Sequence, residues 1–511
     1  MNKPSFGEFR KRAELLKWIN ETFAPVGGIP PVIGPTCAFL AQPMMVNRQS
    51  RFTDMAVGYA KKQEFLNECC PKVFIPRLPD PTESIMHLGV QYHSREPIAV
   101  RDSLLPEGVV IVGTKGAGKT QGLSSFVRQA IQKQKRCTWI DFRADADRFF
   151  NIYPPEMIVK FTVETEPRNF ACPLPDRCRQ TLQWFVSKLG WYDNLPGITR
   201  SEATKVLLQL DAGRKLGEPP LSVAQVGAAL KIIGERGKQQ SLLTFTRSIE
   251  GLASVIGKAA HVRSFRMPFD PLLTILSWPG LSPRLCAFQL GFLVYLKQLR
   301  YEGAGFSPGS LRELFIIDEA LNIASQHHGE VGGGESLSPI RSLATKARPY
   351  GIGLIIASQI LAELDAAVLS NWAIFICFRL ANLRDARIAT ELLRMPTEAA
   401  KEILALPPRV AYVITSDWPT AVKVEFPVIE LGDYPDSQFV ERCNRPFLQE
   451  LEKSTLYSDD TPDAIVPIHY ESLIAPKPNN NTKEVPRVEE SMAISAGVLT
   501  MPRSIWPFGN A

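Results

Sequence analysis

The sequence predicts an α/β protein: a largely parallel sheet flanked by helices, with an all-helical insertion and a small N-terminal region. Three observations predict it. Runs of consecutive apolar, often β-branched residues recur, as in G-V-V-I-V at 108–112 and E-L-F-I-I-D at 313–318, the mark of strands buried on both faces of a parallel sheet. A helical pattern from about Lys119 to Gln134 follows the first run, and a second buried strand, C-T-W-I-D at 137–141, follows that helix; this is the βαβ order. From 176 to 262 the apolar spacing is helical, with Leu182, Phe185, Val186 and Leu189 as examples, before buried strands resume.

Taken from the start, residues 6–23 have Phe9, Leu15, Leu16, Ile19 and Phe23 near helical spacing. Pro25, Pro30, Pro31 and Pro35 then forbid long regular elements. Pro76, Pro79 and Pro81 mark a linker, so the N-terminal region is placed at 1–80. The main α/β domain is expected over 81–432, with its helical insertion at about 176–262. Its later strands are read at 272–276, 313–318, 353–358 and 373–378. A hairpin pairs 410–414 with 421–426 across Asp417, Trp418 and Pro419. A helical extension is expected over 433–475. Residues 476–511, rich in Pro, Asn and Lys and then sparse, read as a disordered tail.

Composition excludes several classes. With 45% hydrophobic and 22% charged residues, global disorder is ruled out. The net charge of +6, from 58 basic and 52 acidic residues, is compatible with a polyanionic partner without requiring one. Nine cysteines form no C-x-x-C pair and suggest neither a zinc site nor a disulfide framework. They read as reduced core thiols of a cytoplasmic protein. No apolar segment follows the charged start, and Leu285–Leu296 is too short to span a bilayer, which needs ~20 residues. No membrane span is expected.

The chemistry concentrates at 113–120, G-T-K-G-A-G-K-T, a full G-x-x-x-x-G-K-[ST] pattern between a buried strand and a helix. Gly113, Gly116 and Gly118, with Thr114, Lys115 and Ala117 between them, let backbone N–H groups wrap a phosphate. The helix start adds positive potential. Lys119 supplies a charge for the β- and γ-phosphates of ATP, and Thr120 a hydroxyl for Mg²⁺. Asp318 and Glu319 end another buried strand; the aspartate suits Mg²⁺ and the glutamate suits general-base work on water. Ser358 and Gln359 end a third strand, where a polar side chain can sense the γ-phosphate. Arg341, Lys346 and Arg348 lie just upstream; Arg348 or Arg341 could reach a neighbouring protomer's nucleotide.

Four stretches together resemble the HerA/FtsK superfamily, most nearly its HerA-like branch, related to VirB4/TraG-type ATPases. They are E-G-V-V-I-V-G-T-K-G-A-G-K-T at 107–120, W-I-D-F-R-A-D at 139–145, E-L-F-I-I-D-E-A at 313–320, and A-R-P-Y-G-I-G-L-I-I-A-S-Q at 347–359 with the segment after it. Asp141, Asp145, Arg348, Gln359 and Arg379 match family positions, while Ala144 stands where the family often has glycine. The resemblance covers about 85–430. It implies a RecA-like P-loop NTPase motor, a homo-oligomer and usually a hexamer, with ATP between protomers and double-stranded DNA in the channel. A nuclease or effector partner is a further expectation, and 1–80 is the place to look for it. A secretion or conjugation ATPase moving another substrate, or a slow nucleotide-dependent assembly switch in defence against foreign DNA, remains an alternative. A glycine-rich stretch, His327 to Gly334, is a candidate DNA-facing loop; its two histidines lack further spaced ligands for a metal. The basic segment Lys231–Lys238 reads as a solvated face.

Overall fold

Five strands whose residues are almost all apolar can be satisfied only by cover on both faces, and they form the parallel centre of a sheet. The computed structural model describes residues 83–458, apart from 167, 173–176, 215–217, 303–309, 321–347, 365–368 and 370–371, together with Lys17 and Pro76. In chain order the strands and helices used below are β1 (Ile85–Gln91), β2 (Pro97–Arg101), β3 (Val109–Val112), α1 (Lys119–Gln132), β4 (Arg136–Asp141), β5 (Ile158–Thr162), α2 (Cys178–Tyr192), α3 (Gly197–Ala212), α4 (Val223–Arg236) and α5 (Gln240–Ile256). They continue as β6 (Val262–Ser264), β7 (Leu273–Ser277), α6 (Pro283–Glu302), β8 (Glu313–Ile317), β9 (Ile352–Ser358), β10 (Ile374–Cys377), α7 (Leu383–Leu392), α8 (Ala400–Leu404), β11 (Val410–Thr415), β12 (Val422–Glu425), α9 (Ser437–Lys453) and β13 (Leu456–Tyr457). The chain falls into two units, one holding the chain up to 146 with 297–432, the other 147–296 with the chain from 433.

In the first unit the strand order is β2-β1-β12-β11-β10-β3-β9-β8-β4. β10, β3, β9, β8 and β4 run parallel, with Val109 opposite both Ile374 and Ile355. Every residue of β3, β8, β9 and β10 is buried, which is why these strands read as continuous apolar runs. The β11–β12 hairpin joins antiparallel, and β12 alternates buried and half-buried positions. The β1–β2 hairpin extends this antiparallel side and was not read from the sequence. Its alternation breaks at Gly89, where the register shifts; φ is +147° there, and a Cβ would lie 2.1 Å from Glu425 O.

The second unit holds the parallel pair β5–β7, with Ile158 opposite Leu273, and helices α2 to α5. Their shared core includes Phe185, Leu207, Leu230, Phe245 and Ile249, each at most 1% exposed. A capping box on Ser222 and Gln225 starts α4, satisfying donors that a helix start leaves open. Helix α9 lies against β5 through Phe447, whose ring is 5.8 Å from Phe161. Asn444 brackets the Lys160 backbone, accepting its N–H at 3.1 Å and donating to its carbonyl at 2.6 Å. This pairing closes the polar edge of β5 that no strand in this unit covers on that side.

One expectation fails here: Cys172 and Cys178 are joined in a disulfide. Asn169 Oδ1 accepts the N–H groups of Ala171 and Cys172 at 3.0 and 3.1 Å, and the two cysteine Cα atoms lie 5.2 Å apart. Spacing alone does not reveal such an approach. Cys137, Cys286 and Cys377 are buried thiols, and burial pushes all three up, Cys286 to about 12. The N-terminal helix, the proline-rich coil, the tail from 476, the loop at 327–334 and Arg341 lie outside the described residues. Among the described residues, no helix is long and apolar enough to cross a membrane.

Candidate active site

The glycine-rich turn grows directly out of the sheet. Gly113 N–H donates to Ser358 O at 3.1 Å, prolonging the β3–β9 ladder, and Thr114 N–H donates to Arg379 O at 2.8 Å. The turn closes with Ala117 N–H on Thr114 O, and Arg409 N–H donates to Ala117 O at 2.8 Å. Two glycines are obligatory here. A Cβ on Gly113 would meet Phe378 Cβ at 2.7 Å, and Gly118, at φ +120°, would meet Arg409 Cα at 2.9 Å. Gly118 is also the N-cap of α1, so the helix starts with its free N–H groups facing the turn. Gly116, at φ +75°, has open space where a Cβ would stand, and Lys115 beside it is exposed.

Lys119 is buried and folds back over the turn, donating to Gly113 O at 2.7 Å and Thr114 O at 3.2 Å. Desolvation holds its ammonium below the usual lysine range, while Asp318 and Glu319 oppose that effect. Thr120 follows, half-buried in the first turn of α1.

Asp318 and Glu319 leave the end of β8. Glu319 N–H donates to Asp318 Oδ1 at 3.0 Å, Glu319 takes φ +59°, and Ala320 N–H returns to Ala357 O on β9. Asp318 is 6% exposed. Burial pushes its carboxyl up to about 7, helped by the negative charges of Glu319, Asp145 and Asp141 and opposed by Lys119. Gln359, one residue past β9, donates to Glu319 Oε1. Ser358 turns aside and exchanges hydrogen bonds with Ile360.

Sequence reasoning gave no role to one residue that the fold brings in. Arg143 Nη1 stands 3.0 Å from Glu319 Oε1. Its position comes from the turn after β4: Asp141 Oδ1 accepts Arg143 N–H and Asp141 Oδ2 accepts Ala146 N–H, each at 2.8 Å. Ala144 within that turn has φ +63°, a conformation that favours glycine. The available signal was a basic residue two positions beyond a strand-end aspartate.

The turn with Lys119 and Thr120, Asp318, Glu319 and Gln359 therefore meet at the carboxyl ends of β3, β8 and β9. Arg348 does not join them. It precedes β9 and pairs with Glu107 at 2.6 Å; with ~3.3 Å per residue, the length of β9 puts this about 20 Å from Gln359. Arg379 contributes its carbonyl to the turn. Among the described residues no three His, Cys, Asp or Glu side chains form a metal-binding group by themselves.

The fold is similar to that of VirB4 of Thermoanaerobacter pseudethanolicus, with TM-score 0.54 and 12% identity over 69% of this chain and 98% of that one. Plasmid coupling protein TrwB in complex with the non-hydrolysable GTP analogue GDPNP aligns with TM-score 0.49 and 13% identity, over 69% of this chain and 91% of that one. The genome packaging NTPase B204 from Sulfolobus turreted icosahedral virus 2 in complex with ATP-gammaS aligns with TM-score 0.32 and 12% identity, over 63% of this chain and 99% of that one. No family model and no curated protein sequence matches the chain. The likeness to VirB4 is one of fold: a RecA-like P-loop NTPase core.

Proposed function

We propose that this chain is a Mg²⁺-dependent ATPase of the cytoplasm that works as a homo-oligomer, a six-membered ring, and moves or remodels double-stranded DNA. The observation that carries the ATPase reading is the meeting of a lysine-bearing phosphate turn with an aspartate–glutamate–glutamine set at the carboxyl ends of the central strands. In this reading the N–H groups of 113–120 hold the phosphates, and Lys119 exchanges its two carbonyl partners for phosphate oxygens. The donor set fits a hard cation: the Thr120 hydroxyl and the Asp318 carboxylate are oxygen ligands, and the burial and neighbouring negative charges that raise the Asp318 pKa are offset by positive charge. Mg²⁺ bound there would neutralise charge developing on the β- and γ-phosphates.

Glu319 takes a proton from water as the water oxygen bonds to the γ-phosphorus. The bond from phosphorus to the β–γ bridging oxygen breaks, its electrons leaving with ADP. Gln359 orients the carboxylate through the hydrogen bond it already makes. The oligomer and the DNA rest on the sequence resemblance. Arg348 accords with them: it stands at the amino end of β9, away from its own phosphate turn, where in this reading it serves a neighbour's nucleotide.

The test is the ATPase rate of the full chain with and without duplex DNA, in a buffer where its mass has been measured. DNA-stimulated hydrolysis by an oligomer, lost in Lys119→Ala, supports the proposal. A strict monomer in the presence of a trapped nucleotide analogue, or hydrolysis indifferent to DNA, rejects the motor and favours a different polymer or an assembly switch.

A further inference from the structure

Glu319 is the base that the proposed hydrolysis needs, yet its carboxylate is already engaged twice. Oε1 faces Arg143 Nη1 at 3.0 Å and accepts from Gln359. A carboxylate oxygen occupied by a guanidinium is a poor acceptor for a proton from water. Arg143 is also half-exposed, with 52% of its side chain open, so it supports no core. Its backbone is nonetheless fixed by two hydrogen bonds to the buried Asp141. The guanidinium thus sits on an anchored turn and is free to pivot. It also lies near enough to Lys119 for the two positive charges to repel, so both cations bear on one small region at the mouth of the phosphate turn.

A terminal phosphate carries more charge than a carboxylate and offers three acceptor oxygens, a better match for an arginine fork. We infer that Arg143 reads the terminal phosphate of a nucleoside triphosphate: it holds Glu319 while that position is empty and moves to the γ-phosphate when a triphosphate binds, releasing Glu319 for water. A diphosphate leaves the Arg143–Glu319 pair intact. Arg143 therefore distinguishes triphosphate from diphosphate within one protomer and keeps the base inactive until the substrate is complete. This inference rests on the ATPase reading above.

The experiment is calorimetric titration of the full chain with Mg²⁺ and either ADP or a non-hydrolysable ATP analogue, comparing wild type, Arg143→Gln and Arg143→Lys. The glutamine variant is expected to lose about tenfold or more in affinity for the analogue, the effect of one charge-assisted hydrogen bond, with ADP affinity unchanged. That unchanged ADP binding shows the variant to be folded. The lysine variant, which keeps the charge, is expected to recover most of the loss. Equal losses for both nucleotides, no loss at all, or a lysine variant as weak as the glutamine one would overturn the phosphate-reading role while leaving the ATPase reading intact. A wild type that binds neither nucleotide overturns both.

Discussion

Asp318 offers a stability measurement that isolates the electrostatics of the site from its chemistry. Its carboxyl lies at about 7 in the folded chain against an ordinary 3.8, chiefly through burial and then through Glu319, Asp145 and Asp141. The folded state therefore holds this proton more tightly than the unfolded state does. The stability that the proton contributes is complete below pH 3.8, declines as pH rises, and is gone above about 7. At ~1.36 kcal/mol per pH unit, the raised pKa costs the fold about 4 kcal/mol at pH 8.5, where Asp318 is ionised, and about 2 kcal/mol at pH 5.5, where it stays protonated in the folded chain but ionises in the unfolded one. Asp318→Asn has the same shape, still accepts from Glu319 N–H and cannot ionise. It should be more stable than wild type at both pH values, by about 2 kcal/mol more at pH 8.5 than at pH 5.5. Urea unfolding of both proteins at the two pH values, followed as the difference between them, measures this directly and cancels the titration of other groups. A stability gain that is the same at both pH values, or smaller at pH 8.5, would refute the argument.

Glu319→Gln should keep nucleotide affinity in calorimetry while turnover falls by a factor of roughly 10²–10⁴, the range for losing a general base. Gly118→Ala should destabilise the chain by roughly 1–3 kcal/mol in denaturant titration, because φ +120° and the 2.9 Å approach to Arg409 Cα both oppose a side chain. Asn444→Ala removes both bonds to the Lys160 backbone, and should cost about 2 kcal/mol and raise amide exchange at Lys160. Arg348→Ala should leave nucleotide affinity of a separated protomer unchanged in the same calorimetry, since its partner Glu107 lies away from the phosphate turn; a weakened affinity would place the arginine in its own protomer's site.

Elements whose signal is local were readable from the sequence. β3, β8, β9 and β10 are buried on both faces, so each needs an unbroken apolar run, and that run is visible without knowing its neighbours. The phosphate turn is legible because its motif is contiguous and Gly116 and Gly118 answer to local positive φ, although the atoms that exclude a side chain at Gly113 and Gly118 belong to Phe378 and Arg409. The β1–β2 hairpin was hidden because its pattern breaks at Gly89, and the reason for that glycine is a carbonyl on β12, more than 300 residues later.

What only the tertiary structure decided are relations between distant segments. Strand order β3-β9-β8-β4 is what sets Gln359 and Arg143 on the same oxygen of Glu319, although 143, 319 and 359 lie far apart in sequence. Only the fold shows that Arg348 pairs with Glu107 at the amino end of β9, away from its own phosphate turn. The Cys172–Cys178 bond likewise has no signature in the spacing of the cysteines. A sequence states which groups a segment must bury or bend, because those demands act over a few residues. Which charge faces which is settled by strand pairing, where chain distance has no bearing on separation in space.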